Sequence, residues 1–153
     1  MRNPFLLITL LVFSLNSFGQ SANQRFIKFF HVGEQIQPVY TLNISYSNAG
    51  VPKDPDERVI DTLPAKSIVT DEKSYDAVLS YIKHTNFKLG PKENAGKLYF
   101  GTFKIIYEGK YLYLPGNSVT KYFKDLVAYL KKKKTDPNLT QEIVDNYPWI
   151  FNP

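Results

Sequence analysis

The sequence predicts an α+β domain in which an antiparallel sheet carries its helices on one face, and three observations lead there. Residues 39–47 alternate apolar and polar side chains over a full strand length. Residues 99–134 read as a β-hairpin that runs directly into an amphipathic helix, and residues 70–85 hold a second helical pattern. The expected order is β-β-β-α-β-β-α-α. Each of the first two helices follows antiparallel strands. Tyr75, Leu79, Tyr81, Ile82 and Lys83 of the first helix align with Phe123, Val127, Tyr129, Leu130 and Lys131 of the second, so the order also admits two β-β-α units. The competing explanation is that any two amphipathic helices align through their shared pattern.

Residues 1–19 form the pattern of a secretory signal peptide: one charge at Arg2, an apolar run from Phe5 to Leu15, and Ser17 and Gly19 as the small residues before a cut ahead of Gln20. That run is well short of the ~20 residues needed to span a bilayer, which argues against a retained anchor. Residues 20–153 are expected to make one α+β domain, and a hydrophobic content of 43% with 15% aromatics suits a single core. The net charge of +5 is mildly basic and includes Arg2. It favours anionic surfaces without requiring one, and nothing points to specific nucleic-acid binding. Cysteine is absent, which excludes a disulfide framework, a thiolate nucleophile, Cys-ligated zinc and a lipid-attached cysteine. The expected location is periplasmic or secreted. The sequons at Asn43 and Asn138 matter only in a eukaryotic secretory route.

Taking the elements in order, residues 25–32 carry β-branched and aromatic residues on both parities, as a central strand covered on two faces does. In residues 39–47, Tyr40, Leu42, Ile44 and Tyr46 share one face. Thr41, Asn43 and Ser45 share the other, which is expected to meet water. Residues 48–57, rich in Pro and charge, form a long loop before a short strand over 58–63 that Pro64 closes. A helix starts at Thr70 or Asp71 and ends near Thr85, with Asp71 and Glu72 well placed at its N-terminus. Residues 88–96 connect it to the hairpin.

In the hairpin, a two-residue turn at Glu108 and Gly109 pairs Tyr107 with Lys110, Ile105 with Leu112 and Phe103 with Leu114. Pro115 stops the ladder, and Asn117 or Ser118 is expected to cap the next helix. Val119, Tyr122, Phe123, Leu126, Val127 and Leu130 then form one stripe that suits the Phe103, Ile105, Leu112 and Leu114 face. Asp136 and Pro137 open a third helix bearing Leu139, Ile143 and Val144, after which Tyr147, Trp149, Ile150 and Phe151 dock on the core.

Catalytic chemistry finds little footing. His31 and His84 have neither a second histidine nor a carboxylate at ligand spacing, so no metal and no cofactor are expected. Asp54, Asp56, Glu57 and Asp61 lack the glycine and closing glutamate of a calcium loop. Ser118-Val119-Thr120-Lys121 matches the S-x-x-K string of penicillin-recognising serine enzymes, but Ser80-Tyr81-Ile82-Lys83 matches it too and no K-T-G follows. Binding surfaces are better supplied. On the hairpin's second face, Lys104 opposes Tyr113 and Ile106 opposes Tyr111, with Phe100 and Thr102 continuing the row, an aromatic platform interleaved with a cation. Lys131 to Lys134 form a second candidate surface, although cations at a helix C-terminus also serve the macrodipole. The leading expectation is therefore an exported, soluble, non-catalytic module that binds a protein or glycan through Phe100, Lys104, Ile106, Tyr111 and Tyr113. The alternatives are a small exported serine hydrolase using Ser118 and Lys121, and a structural envelope protein.

Overall fold

The computed structural model of the chain describes residues 25–31, 41–46, 50–54, 65–85 and 103–152. Among these are five strands, β1 (Phe26–His31), β2 (Leu42–Ser45), β3 (Lys66–Val69), β4 (Phe103–Tyr107) and β5 (Lys110–Leu114). Four helices accompany them, α1 (Glu72–His84), α2 (Gly116–Lys132), α3 (Pro137–Asn146) and α4 (Pro148–Phe151). The fold is α+β, and the strands form one sheet in the order β3-β2-β1-β4-β5. The leader over residues 1–19, the strand expected over 58–63, the connection over 88–96, and Phe100 and Thr102 lie outside the described residues.

The hairpin has the register read from its sequence, Tyr107 with Lys110, Ile105 with Leu112 and Phe103 with Leu114. Its turn uses positive φ at both central residues, Glu108 at 46° and Gly109 at 69°. That left-handed pair matches the natural twist of the two strands. β4 then pairs antiparallel with β1, placing Phe29 beside Ile105 and His31 beside Phe103. β1 is central and pairs antiparallel with β2 on its other side. Both of its faces are interior, as the mixed-parity sequence requires.

The sheet is mixed rather than purely antiparallel, because β2 and β3 run parallel, with Leu42 opposite Lys66 and Ile44 opposite Ile68. A parallel pair needs a connection of about a dozen residues or more to bring the chain back in the same direction. The long stretch after Tyr46 supplies it. Alternation of side chains carries no strand direction, so the sequence pattern could not distinguish the two senses. A second expectation also fails here: Thr41, Asn43 and Ser45, the polar side of β2, are buried rather than solvated. The Asn43 amide donates to Ser67 Oγ across the parallel pair at 3.3 Å.

One apolar cluster joins a single parity of the sheet to the helices. It contains Ile27, Phe29, Leu42, Ile44, Phe103, Ile105, Leu112 and Leu114, together with Tyr75, Val78 and Ile82 of α1 and the whole Val119-to-Leu130 stripe of α2. Phe123 lies 5.5 Å, centroid to centroid, from both Phe29 and Phe103. Leu139, Ile143, Tyr147 and Ile150 complete the cluster from the C-terminal helices. Trp149 departs from the expected docking of the whole tail: it is 41% exposed, although its ring stacks 6.3 Å from Phe103.

Helix ends explain the boundaries. Asp71 caps α1 by accepting from the Ser74 amide at 2.9 Å and the Ser74 hydroxyl at 2.7 Å. Asp136 caps α3 by accepting from the Asn138 amide, with Pro137 in the first turn. α2 departs from expectation, since neither Asn117 nor Ser118 caps it. The helix begins earlier, after Pro115, whose φ of −59° sets the chain for entry and whose carbonyl accepts from the Ser118 amide at 2.8 Å. At its other end Lys134 takes a left-handed φ of 51°. The Lys134 amide donates to Lys131 O and the Thr135 amide to Leu130 O, closing the last turn in the Schellman pattern.

Candidate functional site

The second face of the sheet is where the sequence placed the binding residues, and there the structure builds an interior layer. Across the strands, Phe30 pairs with Lys104 and Lys104 with Tyr113, while Lys28 pairs with Ile106 and Ile106 with Tyr111. Phe30 and Tyr113 form a small buried cluster with Ile106 packed against it. Binding through Lys104, Ile106, Tyr111 and Tyr113 asks that all four be at least partly exposed, and two are not: Lys104 is 6% and Tyr113 7% exposed, whereas Ile106 is half-buried and Tyr111, at 44%, is open.

Burying two lysines here demands compensation, because an unpaired ammonium is costly in an apolar setting. Residues 50–54 provide it. Lys104 Nζ is 2.9 Å from Asp54 Oδ1, with both side chains largely buried, and Lys28 Nζ donates to the Pro52 carbonyl at 2.9 Å. The Lys104 ammonium also lies 5.1 Å from the Tyr111 ring centroid, 5.8 Å from Phe30 and 5.9 Å from Tyr113. The aromatic and cationic residues that look like a platform in sequence are thus engaged with one another and with a covering segment. Asp54, a candidate calcium ligand by composition, is spent on Lys104.

The side chains of the serine-hydrolase alternative are engaged separately. Ser118 Oγ donates to Asn117 Oδ1 at 3.2 Å, and Lys121 Nζ is 2.5 Å from Asp125 Oδ2. The serine hydroxyl and the lysine amine are thus turned to different partners, whereas an S-x-x-K dyad needs them joined to each other. Lys131 to Lys134 are exposed at the end of α2, with Lys133 Nζ 5.5 Å from the Tyr129 ring centroid.

A concave site lies elsewhere, between the C-terminal half of α1 and the middle of α2. It is an open groove of about 550 Å³ lined by Ser80, Tyr81, His84, Thr85, Asp125 and Tyr129. Its walls follow from helix periodicity: these residues flank the buried stripes, so they sit at the rim where the two helices meet. Tyr81 and Tyr129 face each other with centroids 5.3 Å apart. Tyr81 reaches inward to donate its hydroxyl to the Tyr122 carbonyl at 3.3 Å. Burial, and secondarily the nearby Asp125 charge, pushes its phenol up to about 12.

The tautomer of His84 is set by its own helix. Nδ1 lies 2.7 Å from the Ser80 carbonyl oxygen, an acceptor only, so Nδ1 carries a proton, and in the neutral ring Nε2 is the nitrogen left with the lone pair. Ser80 Oγ is 3.5 Å from that same protonated nitrogen. His84 is thereby placed to accept from a ligand through Nε2 but not to take the Ser80 proton through Nδ1. Sequence reasoning weighed Ser80 only as a repeat of the S-x-x-K string and His84 only as a metal ligand lacking partners at ligand spacing. The signal that was available is the alignment of the two helices, whose matched tyrosines, Tyr81 and Tyr129, are the pair that meets across the groove.

Among the described residues, no group of three or more His, Asp or Glu side chains is placed to hold a metal ion, and no helix is long and apolar enough to cross a membrane. The chain matches no family model, no curated protein and no solved structure.

Proposed function

We propose that the chain is an exported, non-catalytic binding module, periplasmic or secreted, whose ligand contact is the groove between α1 and α2. Export rests on the leader pattern over residues 1–19. The observation that carries the binding reading is the groove itself, a concavity of ligand size in which two tyrosine rings and the polar groups of Ser80, His84, Thr85 and Asp125 converge. The hairpin face is a second possible contact because Tyr111 is exposed beside the Lys104 cation, but its neighbours are committed to packing.

The test uses the mature chain immobilised on a support and challenged with soluble protein and glycan fractions of the cell envelope. Capture that is lost on Tyr129→Ala and on Asp125→Asn, and retained on Tyr111→Ser and Ser118→Ala, is the expected result. Loss with Tyr111→Ser and retention with the groove variants would move the contact to the hairpin face. Turnover of an ester or amide substrate that disappears with Ser118→Ala would replace the binding reading with the hydrolase.

A further inference from the structure

Resting on the binding reading above, we propose that the α1–α2 groove recognises a neutral saccharide unit, held by its hydroxyl groups and stacked against the tyrosine pair. The argument comes from the hydrogen-bonding capacity left at the rim. In its neutral form His84 presents Nε2 as an acceptor, since its other nitrogen donates to Ser80 O. Thr85 Oγ1 donates to the Tyr81 carbonyl at 2.5 Å, so towards a ligand it also accepts. Asp125 holds Lys121 through Oδ2, and a carboxylate has further lone pairs to offer. Ser80 adds a hydroxyl able to work in either direction. The rim is rich in acceptors and asks for a ligand rich in donors.

Two classes of ligand are donor-rich, hydroxylated rings and cationic amines. The groove favours the first. The one carboxylate in its lining is already neutralised by Lys121, and a cation, Lys133, is already placed over the Tyr129 ring. A further ammonium would meet no unsatisfied negative charge and two nearby lysines. Anionic ligands are disfavoured in turn because the lining holds no lysine or arginine to pair with them. A neutral sugar ring offers both what the groove lacks and what its tyrosines accept, O–H donors on its edge and an apolar face for an aromatic ring. The volume of about 550 Å³ lies in the range of small-ligand sites.

The experiment is a titration of the isotope-labelled mature chain, followed by amide NMR, with two neutral probes, cellobiose and di-N-acetylchitobiose, and one amine probe, spermidine. The expected result is a saturable shift, with Kd on the order of 1 mM, that maps to residues 80–85 and 125–129 for at least one of the sugars and not for spermidine. Asp125→Asn, an exposed and nearly isosteric change, should weaken binding about tenfold while leaving the rest of the spectrum unchanged. Tyr129→Ala should weaken it by at least as much, with His84→Gln as the substitute if that variant fails to fold. Saturation by spermidine alone, sugar shifts that map away from the groove, or no saturation by either sugar up to about 20 mM would each overturn the saccharide assignment. The binding reading fails separately, if the groove variants also leave capture of envelope components unchanged.

Discussion

Lys134 and Asp71 show how single residues fix the ends of the two helices between which the groove lies. Lys134 is an L-residue in the left-handed region, at φ 51°, closing α2 where glycine is the usual occupant. Nothing in a run of four lysines marks one as the turning point, so this was not legible in the sequence. Relieving the strain should outweigh the extra freedom glycine gives the unfolded chain. Lys134→Gly is expected to raise stability by about 0.5–1 kcal/mol in urea unfolding, whereas Lys134→Ile should lower it. Asp71, by contrast, was legible as an acid ahead of a helical pattern. The Ser74 hydroxyl, and then the Ser74 amide, hold its carboxyl below the usual aspartate range. A depressed folded value means that the stabilisation is fully present above the unfolded value and fades as pH falls through the folded one. Asp71→Ala should therefore cost about 1 kcal/mol at neutral pH, and the gap between variant and parent should close in unfolding curves taken below about pH 4.

At the scale of elements, the hairpin and α2 could be read directly because local chemistry specifies them: a Glu-Gly turn fixes register, parity fixes the buried face, and Phe103, Leu112, Phe123 and Leu126 duly share one cluster. β3 could not. Its four residues, Lys66 to Val69, lie at the sheet edge, are mostly exposed and show no alternation, so only pairing with β2 makes them a strand. The expected cap of α2 failed for a related reason: Asn117 and Ser118 have the right chemistry, but Pro115 starts the helix before them. The same dependence on tertiary context governs the segment at residues 50–54. Its contact with the sheet includes the Lys104–Asp54 pair, which is largely shielded from water, beside the Lys28 bond to the Pro52 carbonyl. Asp54→Ala should cost about 1.5–3 kcal/mol by leaving a buried ammonium short of a partner. Adding Lys104→Met to that variant should recover most of the loss, because removing both charges removes the desolvation penalty as well. A double-mutant cycle by chemical denaturation checks both figures, and purely additive losses would mean that the pair is not coupled.

For the whole molecule, the two faces of the sheet divide the work differently from what the pattern implied. Alternation separates one face from the other, yet it cannot say whether the second is wet or covered, since tyrosine and lysine suit either setting. Here Lys28, Phe30, Lys104 and Tyr113 are buried, the two lysines against residues 50–54, and a concavity lies instead between α1 and α2. The groove itself was beyond sequence reading because its walls come from two helices with residues 85–115 between them, brought together only by packing on a common sheet. Equilibrium unfolding of Tyr113→Ser and Tyr111→Ser, measured side by side, tests this division most directly. The account predicts a loss of about 3 kcal/mol for Tyr113→Ser, a large buried ring cut to a small polar group, against less than about 1 kcal/mol for the exposed Tyr111→Ser. Losses below about 0.5 kcal/mol for both would contradict it, making the hairpin face an open platform and returning the binding site to Lys104, Ile106, Tyr111 and Tyr113.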